Sequence, residues 1–175
     1  MGNGECGIFR IPKSAFRNPQ SKIQNPKSKI TLVLGLGSIL RGDDAFGVRV
    51  AEELRKRDLP ANVRVIVAEL RGLAYAEDIQ RAERVIIADA IDAGKPAGAL
   101  VVFTPEQVRS LDTDASPHGV GMLGILKLLQ TLGPCPPVTI VGCQRGEAFE
   151  GEALSPEVAA AVTVAGDMIE RLVRR

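Results

Sequence analysis

Two adjacent carboxylates, Asp43 and Asp44, have the residue types and the spacing to do chemistry. They follow an apolar run that ends in the sequence GLGS at 35–38, and a helical pattern begins at Ala45. This order is typical of a buried strand, a glycine-permitted loop and a helix start. A carboxylate pair in such a loop suits a cation, whereas capping the helix needs only one of the two. We therefore expect at least one of them to be functional.

Three further side chains could take part in the same chemistry. His118, the single histidine, lies in a polar loop before an apolar helix, and imidazole is a common ligand of zinc, copper and nickel; a structural role is the alternative. Glu69 follows a β-branched run and is either a ligand or a solvated loop residue. Asp89, predicted to end another strand, could cap backbone amides or support the site.

Other catalytic motifs are missing from the sequence. Gly35 and Gly37 suggest a phosphate loop, but the GxGxxG series is incomplete, no GK[ST] follows, and the nearby carboxylates would repel phosphate. The chain has neither a GxSxG elbow nor an HExxH motif, which argues against a serine hydrolase and a thermolysin-like zinc protease.

The elements that must position these residues alternate along the chain. Strands are predicted over 31–35, 63–67, 84–91, 99–103 and 138–143. Helices are predicted from 45 to about 54 and over 73–82, 121–132 and 155–175, with 105–111 helical at most briefly. The pattern predicts a three-layer α/β/α sandwich with a mostly parallel five-stranded sheet, in which sites form at the carboxyl ends of strands.

Residues 1–29 differ from the rest of the chain. They are basic and polar, and NPQSKI at 18–23 is repeated as NPKSKI at 25–30. Such a segment buries too little apolar surface to offset its ordering entropy, so we predict a disordered basic extension. It is either a targeting or docking tail or an uninformative extension. Residues 30–175 are predicted to form a single α/β domain.

Composition limits the partners and the compartment. The net charge of +1 gives no reason to expect nucleic acid or an anionic membrane as a partner. With no apolar run of about 18 residues and no signal-peptide core, we expect a cytoplasmic protein. The odd number of cysteines, three, with no CxxC pair, favours reduced thiols, and Cys143 is expected to be a small buried residue.

Four separated segments resemble the hydrogenase maturation endopeptidases. GLGSILRGDDAFGVRVAEEL (35–54) is similar to that family's GxGN-x-L-x-x-D-[DE]-G-x-G opening, IIADAI (86–91) to its Asp-Ala strand, SPHGVGMLGIL (116–126) to its histidine loop, and LSPEVAAAV (154–162) to its late helix. The order is the same, and the resemblance runs from about residue 30 to 173. Ser38 replaces the usual Asn and Ala45 a frequent Gly, which leaves the substrate subtype open.

The resemblance implies a function as well as a fold with a twisted five-stranded sheet. Members of the family cleave a C-terminal extension from the large-subunit precursor of nickel-iron hydrogenase after nickel insertion. The family's nickel-contacting trio of two acids and a histidine corresponds to Asp44, His118 and, by position after the second strand, Glu69. Asp44 and His118 would be catalytic, and the nickel would arrive on the substrate.

Two other functions agree with the same sequence. The protein could bind metal and the hydrogenase precursor during assembly without cleaving it. It could also be a peptidase of the same fold that acts on another protein, because surface loops determine substrate choice.

Overall fold

A computed structural model describes residues 29–108, 131, 133, 135–146 and 153–175 of the 175-residue chain. His118, Cys6, most of the predicted helix over 121–132 and the N-terminal extension up to residue 28 lie outside the described residues.

A five-stranded sheet forms the centre of the domain, in the spatial order β2-β1-β3-β5-β4. The strands are β1 (Thr31–Leu36), β2 (Val63–Glu69), β3 (Arg84–Ile91), β4 (Leu100–Phe103) and β5 (Val138–Gln144). The first four in spatial order are parallel, and only the edge strand β4 runs antiparallel, to β5. All five predicted strands and the mostly parallel sheet are therefore confirmed.

Strand β1 is buried at every position because it lies between β2 and β3 with a covered face on each side. Leu32 and Leu34 pack into one apolar cluster, and Val33 packs into the other. A strand buried on both faces needs an uninterrupted apolar run rather than alternation, which is why this segment identifies the sheet from sequence.

Four helices flank the sheet in the described part of the chain: α1 (Phe46–Leu54), α2 (Ala76–Arg81), α3 (Pro105–Val108) and α4 (Pro156–Val173). Helices α1 and α4 cover one face, where Phe46 and Ile169 are fully buried. Helix α2 covers the other face through Ile79. The predicted α/β/α sandwich is thus observed. None of the described helices is both long and apolar enough to cross a lipid bilayer.

The parallel strands end at one edge of the sheet, and we call this the carboxyl edge. The loop after β1 continues into a short 3-10 helix, Gly42–Ala45, directly before α1. Glu69 ends β2, and Asp89 lies two residues before the end of β3. The topology therefore places the predicted acids at the edge where sites form in parallel sheets.

Candidate active site at the carboxyl edge

The two adjacent acids have different environments. Asp43 is 6% exposed. Its Oδ1 accepts a hydrogen bond from the Ser155 backbone N–H at 2.7 Å, and its Oδ2 accepts from the Gly146 N–H at 2.8 Å and the Ser155 hydroxyl at 2.9 Å. Asp43 thus joins the β1 loop to the end of β5 and the start of α4. Its oxygens are already used by the fold.

Asp44 is half-buried and keeps one oxygen available. Its Oδ2 accepts a hydrogen bond from the Ser38 backbone N–H at 2.8 Å, across the loop. Its Oδ1 accepts no hydrogen bond from the described residues. A carboxylate oriented through one oxygen with the other open can serve as a ligand. Of the pair, Asp44 is therefore the one positioned to bind something.

Neither acid caps the helix that follows it. The N-terminal positions of the 3-10 helix and of α1 have no side-chain cap hydrogen bond, so the capping alternative is wrong. Ser155 does occupy the N-cap position of α4, with Pro156 after it. Its hydroxyl, however, donates to Asp43 rather than interacting with the helix amides.

Glu69 lies next to the β1 loop through its backbone. The Gly37 N–H donates to the Glu69 carbonyl at 3.3 Å, where the β1–β2 register shifts. Glu69 itself has a φ of +50°, which is uncommon for a residue with a side chain. A Cβ added to Gly37 would overlap the carbonyl oxygen of Asp44. Only glycine therefore fits at this position, between the backbone of Asp44 and that of Glu69. Glu69 and Asp44 thus flank the same glycine.

Asp89 is a third acid of this edge. Burial, and then the negative charge of Asp44, raise the pKa of Asp89 to about 7. The repulsion requires the two carboxylates to be near each other, so Asp89 belongs to the surroundings of Asp44. This favours a role for Asp89 in supporting the site rather than in capping backbone amides. Asp89 lies within β3 rather than at its end.

The predicted trio is only partly described. Asp44 and Glu69 lie at the same edge of the sheet, and His118 lies outside the described residues. Among the residues that the structure does describe, no three His, Cys, Asp or Glu side chains are placed to hold a metal ion together. The described acids alone therefore do not form a complete metal site. We predict that the Glu69 carboxylate and the His118 imidazole lie within about 8 Å of the Asp44 carboxylate, a separation that one ion and modest side-chain motion could bridge.

The cysteines behave as expected where they are described. Cys135 and Cys143 are free thiols, and Cys143 is fully buried in the cluster under α1 and α4. Burial, with the nearby charge of Asp43, raises the pKa of the Cys143 thiol to about 12. Because the thiolate is the reactive form, Cys143 is a packing residue and not a nucleophile.

Sequence reasoning missed the role of Gln144. This side chain is 6% exposed at the end of β5. Its Oε1 accepts hydrogen bonds from the Ala93 and Lys95 N–H groups, at 2.7 and 3.2 Å. The one available signal was a glutamine that directly follows an apolar strand. A buried amide must find partners, and here it orders the turn after β3.

Replacement of Asp43 is expected to affect stability. In Asp43→Asn, an amide nitrogen would face an N–H or hydroxyl donor where a carboxylate oxygen now accepts. We expect the free energy of unfolding to fall by about 1–3 kcal/mol. Urea denaturation measures this, with Asp44→Asn as control, since asparagine can keep the single bond from Ser38. Equal losses in the two variants would contradict the structural role of Asp43.

Asp89 should make stability depend on pH. Its folded pKa of about 7 lies above the ordinary 3.8, so between these values the folded state binds the proton more tightly. The contribution to unfolding free energy is therefore present below about pH 4 and is lost as the pH rises towards 7. Asp89→Asn cannot ionise, so it should gain roughly 2 kcal/mol relative to wild type between pH 5 and pH 8. Urea titrations of both proteins with a chelator test this, and a constant difference would refute it.

Comparison with known proteins identifies the family of the chain. The family model HycI, described as hydrogenase maturation protease, matches residues 48–172. The chain is 35% identical over 139 residues to the hydrogenase expression/formation protein HupD of Rhodobacter capsulatus, which is 77% of this chain and 66% of HupD. It thus spans slightly less than two thirds of that relative's length.

A sequence relative and a solved structure from Escherichia coli are also similar. Hydrogenase 2 maturation protease of strain K12 is 38% identical over 115 residues, 63% of this chain and 70% of that protein. The structure of the hydrogenase maturating endopeptidase HybD has a TM-score of 0.74 at 32% identity, over 83% of this chain and 92% of HybD. Sequence and fold agree, and the chain belongs to the hydrogenase maturation protease family.

Proposed function

We propose that the protein is an endopeptidase that removes the C-terminal extension of a nickel-iron hydrogenase large-subunit precursor in the cytoplasm, after nickel insertion. The observation that carries the proposal is the geometry of Asp44. One of its oxygens is fixed by the Ser38 N–H, and the other, at the carboxyl edge, accepts no hydrogen bond from the described residues, in a chain of the maturation protease family. The name of the E. coli relative, hydrogenase 2 maturation protease, supports the same substrate class.

We further propose that nickel arrives with the substrate and meets Asp44, Glu69 and His118. Carboxylate oxygens and imidazole nitrogen are donors that suit such a divalent ion. Among the described residues, one oxygen of Asp44 accepts no hydrogen bond, and Glu69 at the end of β2 lies beside Gly37 in the loop that leads to Asp44. Both observations agree with this donor set. Two carboxylates and one imidazole leave coordination positions open, and a metal held this way can polarise a carbonyl or activate water. The enzyme would thus be a metal-dependent, aspartate-type endopeptidase.

The chain's own residues supply orientation. The Ser38 N–H fixes the Asp44 carboxylate, and Asp43 holds the segment that carries both acids against β5 and α4. A ligand that is held before the substrate arrives loses little freedom on binding, which strengthens recognition. Nickel would then identify a precursor that is ready for processing, and only the nickel-loaded precursor would be cleaved.

A processing reaction tests the proposal. Purified protein is incubated with nickel-loaded precursor, and intact masses are measured. We expect a large subunit shortened by its C-terminal extension, together with the complementary peptide. A stable complex with uncleaved precursor would instead indicate a non-proteolytic assembly partner. If the precursor is neither cleaved nor bound, the protein acts on a different substrate.

A further inference from the structure

A cavity of about 330 Å³ opens near Asp43. Its lining comes from the turn after β3 and the end of β5: Asp92, Lys95, Ala97, Gln144, Arg145 and Gly146. Gly146 is also a hydrogen-bond donor to Asp43, at 2.8 Å. The cavity is therefore connected to Asp43, the neighbour of Asp44, by one hydrogen bond from the Gly146 backbone to the Asp43 side chain. Its volume is within the range of small-ligand pockets, about 300–1,000 Å³.

The walls of the cavity are held by the buried Gln144. Its side-chain oxygen binds the N–H groups of Ala93 and Lys95, and its backbone pairs with Gly98 and Ala99 at 2.9 Å each. The neighbouring Arg145 N–H donates to the Ile91 carbonyl at 3.1 Å. The turn that carries Lys95 is thus fixed to β5, so the cavity is preformed and needs no ligand to order it.

The charge of the cavity favours an anion. Its lining contains two cationic side chains, Lys95 and Arg145, and one acid, Asp92. The Arg145–Asp92 pair is 3.3 Å apart, and both side chains are substantially exposed, so it is weak and exchangeable. Within the described ranges no carboxylate lies within ion-pair distance of the Lys95 ammonium. In the described lining, the Lys95 ammonium is therefore left without a carboxylate partner.

We propose that this cavity is a subsite for a carboxylate of the substrate peptide, bound by Lys95 and Arg145 next to the cleavage site. This rests on the proposed function, because Gly146 of the cavity wall donates to Asp43, the neighbour of the proposed ligand Asp44. The ligand is either an acidic side chain or the terminal carboxylate of the extension. Lys95 and Arg145 would thus be specificity-determining residues, and neither touches the reacting bond.

Kinetics with matched lysine variants test the subsite. Lys95→Gln should raise the KM for precursor about three- to tenfold, as expected for loss of one partly exposed charge-assisted contact, and leave kcat within about twofold. Lys95→Arg should restore the wild-type KM. Lys56→Gln removes an exposed lysine after α1, outside the cavity, and should change nothing. An unchanged KM in Lys95→Gln would overturn the subsite.

A binding measurement separates this inference from the proposed function. A labelled synthetic peptide with the sequence of the extension is titrated with wild type and Lys95→Gln by fluorescence anisotropy. Its C-terminal amide and its acid-to-amide versions identify which carboxylate is bound. Wild type should bind the unmodified peptide more tightly than Lys95→Gln does. When the carboxylate that occupies the subsite is changed to an amide, the two proteins should bind the peptide equally. No binding to wild type, or equal binding to both proteins, refutes the subsite. Lys95-dependent binding without precursor cleavage would support the subsite and refute the peptidase.

Discussion

Asp44→Asn is expected to slow precursor cleavage by on the order of a hundredfold or more while the protein stays folded. Loss of a partner that only orients a metal ligand costs about 10–100-fold, and loss of a direct ligand should cost at least as much. Asparagine keeps the size of the side chain and one acceptor for the Ser38 N–H, so the loop need not move. Initial rates from intact-mass time courses, with circular dichroism for the fold, measure both effects.

Two variants serve as controls for that substitution. Asp43→Asn should lose stability but, while folded, retain more activity than Asp44→Asn. Glu52→Gln removes a solvent-exposed carboxylate of α1, which pairs only with Arg49 among the described residues, and should cleave like wild type. If the two aspartate variants cleave at equal rates, the division of roles between Asp43 and Asp44 is wrong.

Gly47→Ala is expected to destabilise the domain strongly. Gly47 is in the first turn of α1, and an added Cβ would overlap the carbonyl oxygens of Ala88 and Leu36 and lie 2.7 Å from the Ala88 carbonyl carbon. These are backbone atoms of the central strands, so the helix itself must move away. We expect a loss of roughly 3 kcal/mol or more, with a melting temperature lower by about 10 °C.

Gly166→Ala is the matched control. It is the same substitution at a buried helical glycine, in α4, but the added Cβ would meet the Arg57 guanidinium at 2.8 Å. The end of a long side chain can shift, and alanine is the better helix former by about 1 kcal/mol. The free energy of unfolding should therefore change by no more than about 1 kcal/mol. Similar losses at both sites would contradict the close contact between α1 and the sheet.

The fold could be predicted because its strands are defined locally. The apolar run of β1 and those of β3 and β5 are buried on both faces, so each stands out without reference to its neighbours. The parallel arrangement puts the ends of these strands at one edge of the sheet, where a site is expected and where Asp44 and Glu69 lie. What could not be foreseen is that β4 alone runs antiparallel, because its four residues pair only with β5.

The different roles of the two adjacent acids could not be predicted from the sequence. The inward orientation of Asp43 depends on Gly146 and Ser155, which are 103 and 112 residues away. No local pattern records such a contact. For the same reason, the sequence predicts that a helix starts at Ser155 but does not predict that the Ser155 hydroxyl donates to Asp43. The raised pKa of Asp89 likewise follows from burial and from Asp44, and both require the assembled sheet.

The nickel dependence of cleavage tests the central claim most directly. Nickel-loaded and nickel-free precursor are incubated in parallel with wild-type protein, and the fraction of shortened large subunit is measured by intact mass over time. If nickel on the substrate is recognised through Asp44, only the loaded precursor should be shortened, and Asp44→Asn should leave both at full mass. Equal shortening of the loaded and the nickel-free precursor would contradict the account.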